Sequence, residues 1–290
     1  MAHAVTRGVD VDMRPDRLGD GLSVGAVLSG EQGAVHLEAA VCELAPGGSI
    51  AGHLHAFEES FFVDSGRAIV VIGDVTYEVG PGDFGFAPIA TPHAWRNTGD
   101  GPVRWLRTRS PMARRIGSSR GTYHSSVGIP DEGRAVSELD PSARFVGHFD
   151  EADLPAPGPL SMPGYHGPNV RNVSLRMMVD EILGARHHTL FVVEFAPSDD
   201  PTPSASQHFH PFEEFYWFVA GHARGEVGGD PVELGPGDLV FAGVNVSHGF
   251  TNAGDVPVRW IEAQAPVPPA KDGFFFEDDW LRLPPVGDDG

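Results

Sequence analysis

The sequence has little cysteine, few basic residues and no long apolar run. Cys42 is the only cysteine among 290 residues, so neither an intramolecular disulfide nor a cysteine-rich zinc site can form. Because Cys42 lies in an alternating apolar run, we expect a small buried hydrophobe there. The 20 Lys and Arg against 40 Asp and Glu give a formal net charge of −20, which argues against nucleic acid and anionic membranes as partners. No apolar run approaches the ~20 residues of a membrane span. The first residues lack a signal-peptide core, so the expected compartment is the cytoplasm.

Turn-forming residues, in contrast, are abundant: the chain has 37 Gly and 26 Pro. They separate short runs rich in β-branched and aromatic residues, such as 70–72, 76–79 and 104–107. Many short strands with regularly spaced turns predict an all-β fold, either a sandwich or a small barrel of jelly-roll type.

The chain repeats itself at a fixed offset, with His208 lying 155 residues after His53. The run His53-Leu-His55-Ala-Phe-Glu-Glu59 matches His208-Phe-His210-Pro-Phe-Glu-Glu214, and the same offset maps Gly66 onto Gly221, Gly80-Pro-Gly-Asp83 onto Gly235-Pro-Gly-Asp238, His93 onto His248 and Pro102-Val-Arg-Trp105 onto Pro257-Val-Arg-Trp260. We infer a duplicated domain. The predicted division is a barrel at 1–115, a loop-rich linker at 116–169, and a second barrel with a C-terminal tail at 170–290.

Each copy contains histidines and a glutamate at metal-ligand spacing. His53 and His55 have the same strand parity and therefore face the same way, and Glu59 shares that parity. The predicted ligands are His53, His55, Glu59 and His93 in the first copy, and His208, His210, Glu214 and His248 in the second. Neutral imidazoles with one carboxylate suit a divalent transition metal. Fe2+ is the expected ion, with Mn2+, Ni2+, Cu2+ and Zn2+ as alternatives.

These spacings resemble the two sequence motifs of the cupin family. The resemblance covers about 35–110 and 188–265, and it is carried by Gly47, His53, His55, Glu59 and Gly66, then by Gly82, Pro88, His93 and Asn97. The departures are Ala90 where the motif usually has glycine, and Thr202, Gly243 and Asn245 in the second copy. The resemblance implies a bicupin with two tandem jelly-roll β-barrels joined by a loop-rich linker, a metal inside each barrel, and a homodimer.

Among bicupins the chain is most similar to quercetinase-like dioxygenases. That resemblance implies a small chelating substrate (an enol, phenol or diketone) and dioxygen, with Glu59 or Glu214 as general base toward the substrate hydroxyl. A non-redox lyase, isomerase or hydrolase remains an alternative, as does a metal-dependent binding or sensor protein. Oxalate decarboxylases fit less well, because they place an arginine shortly before the first histidine and a glutamate on a lid loop. Here Ile50-Ala-Gly52 precedes His53, and 117–127 carries no acid. Gentisate-type dioxygenases ligate with histidines alone.

Other polar and aromatic residues receive ordinary structural interpretations. Glu58 and Glu213 have opposite parity to the ligands, so we expect surface or edge charges facing away from the metal. His187 and His188 precede an apolar strand, and we expect this pair to approach the second barrel. The aromatic residues are interpreted as barrel core in preference to substrate lining; they are Phe61, Phe84, Phe86, Trp95, Phe215, Trp217, Phe241 and Phe250. Arg104, Arg107 and Arg259 are interpreted as a solvated strand face in preference to carboxylate-binding groups. The apolar tail, 274–276 with Trp280, is expected to pack on a barrel or on a partner subunit.

Overall fold

The structure, a computed structural model, describes residues 2–112, 121–136, 139, 145–162, 165–199, 204–268 and 273–276. The first half contains β1 (His3–Thr6), β2 (Arg14–Pro15), β3 (Gly19–Leu28), β4 (Glu38–His55), β5 (Glu58–Ser65), β6 (Ala68–Ile72), β7 (Val75–Val79), β8 (Asp83–Ala87), β9 (His93–Asn97), β10 (Val103–Ser110), β11 (Thr122–His124), β12 (Arg134–Ala135) and β13 (Val146–His148). The second half contains β14 (Ser161–Met162), β15 (Tyr165–His166), β16 (Val173–Val179), β17 (Thr189–Phe195), β18 (His208–Phe209), β19 (Glu213–Ala220), β20 (Ala223–Val227), β21 (Asp230–Leu234), β22 (Leu239–Ala242), β23 (His248–Asn252), β24 (Val258–Ala265) and β25 (Phe275–Phe276). Short 3-10 helices lie at Gly8–Asp10, Gly30–Gln32 and Glu151–Asp153.

The first barrel is one curled sheet of twelve strands. Its main path runs β12-β7-β6-β9-β4-β10-β5-β8-β13, with β3 and β11 pairing along β4 and β2 along β3. The predicted all-β fold is therefore confirmed. Among the described residues, no helix is long and apolar enough to cross a bilayer.

The second barrel is built from two facing sheets. One has the order β1-β22-β19-β24-β17-β16 and the other β21-β20-β23-β18-β25. Its edge strand β1 comes from the N terminus of the chain and pairs with β22, much as β13 pairs with β8 in the first barrel. Each barrel is thus completed by a short strand that lies outside the repeated segment, and the linker contributes β11, β12 and β13 to the first barrel.

Strand alternation sends side chains from one strand into two different cores. In β19, Tyr216 and Phe218 face the interior of the second barrel, whereas Phe215 and Trp217 face away from it. The outward face packs against the other barrel, because one buried cluster contains Phe215 and Trp217 of the second copy together with Phe62 of the first. The aromatic residues singled out in the sequence divide accordingly: Phe61, Trp95 and Phe250 lie inside a barrel, and Phe84, Phe86, Phe215, Trp217 and Phe241 lie between the barrels.

Glu58 lies in this inter-barrel contact, and its predicted place on the surface is wrong. The side chain does face away from the histidines, as its parity requires, but the residue is only 2% exposed. Its carboxylate accepts hydrogen bonds from the backbone amides of Arg186 and His187, at 2.8 and 3.0 Å. His188 also contacts it, with Nδ1 at 3.2 Å, while His188 Nε2 lies 2.5 Å from the hydroxyl of Ser60. His188 therefore packs on the first barrel, contrary to the expectation that it approaches the second.

Glu213, the counterpart of Glu58 in the second copy, makes the reciprocal contact. Its carboxylate accepts hydrogen bonds from the amides of Val35, His36 and Leu37, at 2.7, 2.8 and 3.2 Å. Each barrel therefore inserts one carboxylate into a loop of the other. A carboxylate that accepts several amide hydrogen bonds can remain ionised when buried.

Candidate metal centres

The first three predicted histidines converge inside the first barrel. His53 and His55 lie at the end of β4, and His93 opens β9, where it pairs directly with His53. One ring nitrogen from each lies within 4.8 Å of the others, and all three residues are buried.

Hydrogen bonds at Nδ1 fix the orientation of these rings. Nδ1 of His53 and of His93 donates to the backbone carbonyl two residues earlier, at 2.8 and 2.9 Å, and Nδ1 of His55 lies 2.9 Å from the hydroxyl of Thr122. Because a carbonyl only accepts, the proton of His53 and His93 sits on Nδ1 and the Nε2 lone pair is free. Among the described residues, Nε2 of His55 and of His93 is buried and has no hydrogen-bond partner. Buried orphan lone pairs are costly in a protein, and a bound metal ion would satisfy them.

Glu59 completes the first centre, from the start of β5. Its Oε2 lies 3.2 Å from Nε2 of His55, and its Oε1 lies 3.8 Å from Nε2 of His93. Burial alone would raise the Glu59 pKa, but the Arg109 guanidinium, with Nε 2.7 Å from Oε2, and the His55 ring hold it well below its usual range. Burial lowers the pKa of His53 and of His93 to about 4. At neutral pH the centre therefore presents neutral imidazoles and one carboxylate, which are the protonation states a metal requires.

The second centre repeats this arrangement. Nδ1 of His208 and of His248 donates to the carbonyl two residues earlier, at 2.6 and 2.9 Å, and Nδ1 of His210 donates to the carbonyl of Gly273, at 2.8 Å. Oε1 of Glu214 lies 2.9 Å from Nε2 of His210 and 2.8 Å from Nε2 of His248. Nε2 of His210 and Oε1 of Glu214 are buried without a hydrogen-bond partner, so these atoms also fit a bound cation.

The turn before each third histidine explains two of the motif departures. Ala90 and Asn245 have φ values of 61° and 63°, in the left-handed region that favours glycine. The amide of Ala90 donates to the carbonyl of His55, and the amide of Asn245 donates to that of His210, each at 2.8 Å. The turn thus anchors a ligand histidine, and the positive φ is kept although glycine is absent.

The C-terminal segment covers the second centre. β25 pairs with β18, and the ring of Phe274 lies 4.2 Å from that of His210 and 5.6 Å from that of His208. This agrees with the expectation that 274–276 packs on a barrel, whereas Trp280 lies outside the described residues. In the first barrel β11 runs along the same part of β4, from His53 to His55.

Sequence reasoning missed the residues that distinguish the two centres. The interior face of β10 carries Arg107 and Arg109, and the same offset of 155 places Glu262 and Gln264 there in β24. Gln264 donates to Oε2 of Glu214 at 3.2 Å, the position that Arg109 takes beside Glu59. Two features of the sequence could have revealed these residues. Arg107 and Arg109 share the strand parity of the buried Trp105, and the repeat offset then points to Glu262 and Gln264 in the second copy.

Glu262 and Tyr216 give the second centre a different polarity. Burial raises the Glu262 pKa well above its usual range, and the nearby Glu214 carboxylate raises it further. The Glu262 side chain accepts hydrogen bonds from Trp260 Nε1 at 2.9 Å and from the Gln264 amide at 3.0 Å. The Tyr216 hydroxyl donates to Nε2 of His248 at 2.8 Å, and burial raises its pKa well above the usual range. A cavity of about 40 Å³ adjoins this centre; its lining is mostly apolar and includes Phe250, Trp260 and Phe274.

The other two arginines considered in the sequence face outward. Arg104 lies 3.7 Å from Asp64, and Arg259 binds Glu194 and Glu151. Within the described residues, neither arginine contacts a candidate metal centre. For Arg107 the predicted position on a solvated strand face is wrong. It has the same strand parity as Arg109, so both side chains point into the barrel, toward Glu59.

Comparison with known proteins identifies the two barrels. A model of the cupin domain matches residues 40–108 and 191–263. No curated protein sequence matches the chain. Solved structures with the same fold include the Lactobacillus farciminis oxalate decarboxylase formate complex, with 18% identity, a TM-score of 0.63, and coverage of 97% of this chain and 90% of that one.

Two further structures have the same fold at similarly low identity. Bacillus subtilis oxalate decarboxylase, which has Mn(II) centres, is 16% identical with a TM-score of 0.62, covering 97% of this chain and 81% of that one. A glyoxylate-induced protein from Pseudomonas aeruginosa is 19% identical with a TM-score of 0.62, covering 91% of this chain and 89% of that one. The chain thus contains two cupin domains, one in each barrel, and each domain carries a buried histidine triad that could hold a metal ion.

Proposed function

We propose that the protein is a metal-dependent dioxygenase that acts on a small chelating substrate with an enol, phenol or diketone group. The observation that supports this is the pair of buried histidine triads, each beside a carboxylate; among the described residues, Nε2 of His55, His93 and His210 has no hydrogen-bond partner. A divalent transition metal held by three imidazoles and a glutamate would keep two open positions and act as a Lewis acid there. Fe2+ is the proposed ion, and the Mn(II) centres of the Bacillus subtilis oxalate decarboxylase make Mn2+ the first alternative.

Glu59 is proposed as the general base of the first barrel. Arg109 holds Oε2 at 2.7 Å, while Oε1 faces the triad; on leaving the metal, Oε1 would accept the proton of a substrate hydroxyl. A base must come within about 2.6–3.2 Å of the proton donor, which the inward position of Oε1 allows. Glu214 is proposed for the same role in the second barrel, with Gln264 as its orienting partner.

A non-redox cleavage of a small carboxylate substrate is the second candidate. It is favoured by the two arginines inside the first barrel and by the fold shared with oxalate decarboxylases. Against it, the residues before His53 are Ile50-Ala-Gly52, with no arginine at the position where the resemblance would place one.

Metal analysis followed by oxygen-electrode measurements tests these proposals. Purified protein, loaded separately with Fe2+, Mn2+, Ni2+ and Cu2+, is given catechols, flavonols and β-diketones, and oxygen uptake is recorded. His55→Ala and His210→Ala should each remove about one equivalent of metal, and the variant that also abolishes uptake identifies the working barrel. His222→Ala, at an exposed histidine, is the matched control.

Three results would overturn the proposal. No bound metal in any preparation would reject a metalloenzyme. Full metal occupancy without oxygen uptake on any substrate would reject the dioxygenase. Release of CO2 from a dicarboxylate without oxygen consumption would instead favour the second candidate.

A further inference from the structure

The two metal centres differ in charge at equivalent positions. The inward face of β10 carries Arg107 and Arg109, whereas β24 carries Glu262 and Gln264 at the same offset. With Glu59 ionised and a divalent ion bound, the first centre would carry a net charge near +3. The second would carry +1 or less, whatever the ionisation of Glu262. Charge of this kind inside a low-dielectric barrel selects strongly among ligands.

Arg109 is placed to contact a ligand as well as Glu59. The hydrogen bond to Glu59 uses the Nε–H; in the part of the chain that the structure describes, the terminal nitrogens of the guanidinium make no hydrogen bond, and they could form a fork around a carboxylate. The guanidinium carbon lies 5.1 Å above the ring of Phe57, which itself stacks on His55. This stacking fixes the orientation of the guanidinium beside the triad.

The two centres also differ in access. The Arg109 side chain remains 15% exposed, whereas Gln264 is fully buried. Arg109 therefore keeps some contact with solvent at the first centre, whereas the equivalent Gln264 has none. An uncharged ligand suits the apolar cavity beside the second centre.

We propose that Arg109 is a specificity-determining residue that makes the first barrel select a chelating substrate carrying a carboxylate, whereas the second barrel has no such selection. This inference rests on the proposed function, because it assigns a substrate class to the same metal centre. A carboxylate that ligates a metal shares its negative charge with the ion. In the metal-loaded protein Glu59 would therefore neutralise the charge of Arg109 less completely. The substrate carboxylate would then pair with the guanidinium.

Calorimetric binding of two matched probes to the metal-loaded protein tests this. Protocatechuate and catechol chelate through the same pair of adjacent hydroxyls, but only protocatechuate carries a separate carboxylate. Arg109→Gln, which copies the second barrel, should lower the protocatechuate-to-catechol affinity ratio by about tenfold or more, as expected for loss of a charge-assisted contact. Arg104→Gln makes the same charge change on the outward face of the same strand and should leave the ratio unchanged.

Metal content is measured in every sample, so the two proposals fail separately. Arg109→Lys keeps the charge and removes only the planar fork, and it should lower the ratio by a smaller factor. If Arg109→Gln does not retain metal, the Arg109→Lys ratio decides. A ratio within twofold of the parent protein in the variants that hold metal would overturn the inference. If protocatechuate selectivity depends on Arg109 but no oxygen is consumed, the dioxygenase is rejected and the anion site stands.

Discussion

Glu213→Gln replaces a single oxygen in the contact that joins the two barrels. In the native side chain Oε1 accepts the amide of Val35, and Oε2 accepts the amides of His36 and Leu37. Glutamine retains the shape but has one oxygen, so its NH2 group would face at least one of these N–H donors, of which the Leu37 contact is buried and the other two are partly buried. A hydrogen bond to a charged acceptor contributes about 1.5–3 kcal/mol, and an unsatisfied buried donor costs about 1–3 kcal/mol. The variant should therefore lose roughly 3–5 kcal/mol of unfolding free energy.

Urea unfolding of the metal-free protein at pH 7, followed by tryptophan fluorescence and by circular dichroism, measures this loss. Removing metal first separates the effect from any change at the adjacent ligand Glu214. Glu233→Gln, at an exposed position of the same barrel, should stay within about 0.5 kcal/mol of the parent. A loss below about 1 kcal/mol for Glu213→Gln, similar to the control, would refute the inter-barrel role of this carboxylate.

Four smaller predictions concern metal, a turn, a thiol and a carboxyl. Metal at 100 times its dissociation constant should stabilise the fold by about 2.7 kcal/mol per site, so chelation should lower the melting temperature. Ala90→Gly should raise the unfolding free energy by up to about 1 kcal/mol, because the αL cost to alanine exceeds the backbone entropy that glycine adds. Burial raises the Cys42 pKa to about 11, so a thiol reagent at pH 8 should label the protein only after unfolding. Burial also raises the Asp83 pKa, so ionisation of this carboxyl opposes folding. The unfolding free energy of the parent, compared with that of Asp83→Asn, should therefore fall as the pH rises from about 3.8 through the folded-state pKa. Urea unfolding at several pH values measures this difference.

The ligand set could be predicted because its signals are local and repeated. His53, His55 and Glu59 lie within seven residues, and the same spacing returns 155 residues later. Strand parity places His53 and His55 on one face of β4, the structure brings His93 to them, and Glu59 joins them from the next strand, β5. The metal that they hold and the catalytic role of Glu59 stay predictions.

Arg109 could not be placed in the same way, because its contact depends on register. It lies 50 residues after Glu59, and the two meet only because β10 pairs with β5 so that Arg109 stands opposite Glu59. A shift of one residue would have turned the guanidinium outward. Sequence spacing alone does not fix that register. The strand parity that Arg109 shares with the buried Trp105 indicates only that its side chain faces inward.

The error at Glu58 and Glu213 has a physical cause that the strand itself reveals. Opposite parity to the metal ligand was correct, but the second face of the strand was assumed to meet solvent. In β19 (Glu213–Ala220) both parities are aromatic or aliphatic, which is the pattern of a strand buried on both faces. One peptide bond therefore connects a predicted metal ligand on the inner face to an inter-barrel clamp on the outer face, in both copies. The clamp of each barrel holds a loop of the other, so backbone contacts connect the two candidate centres. The duplicated pair of glutamates thus links the docking of the barrels to the position of the two predicted carboxylate ligands.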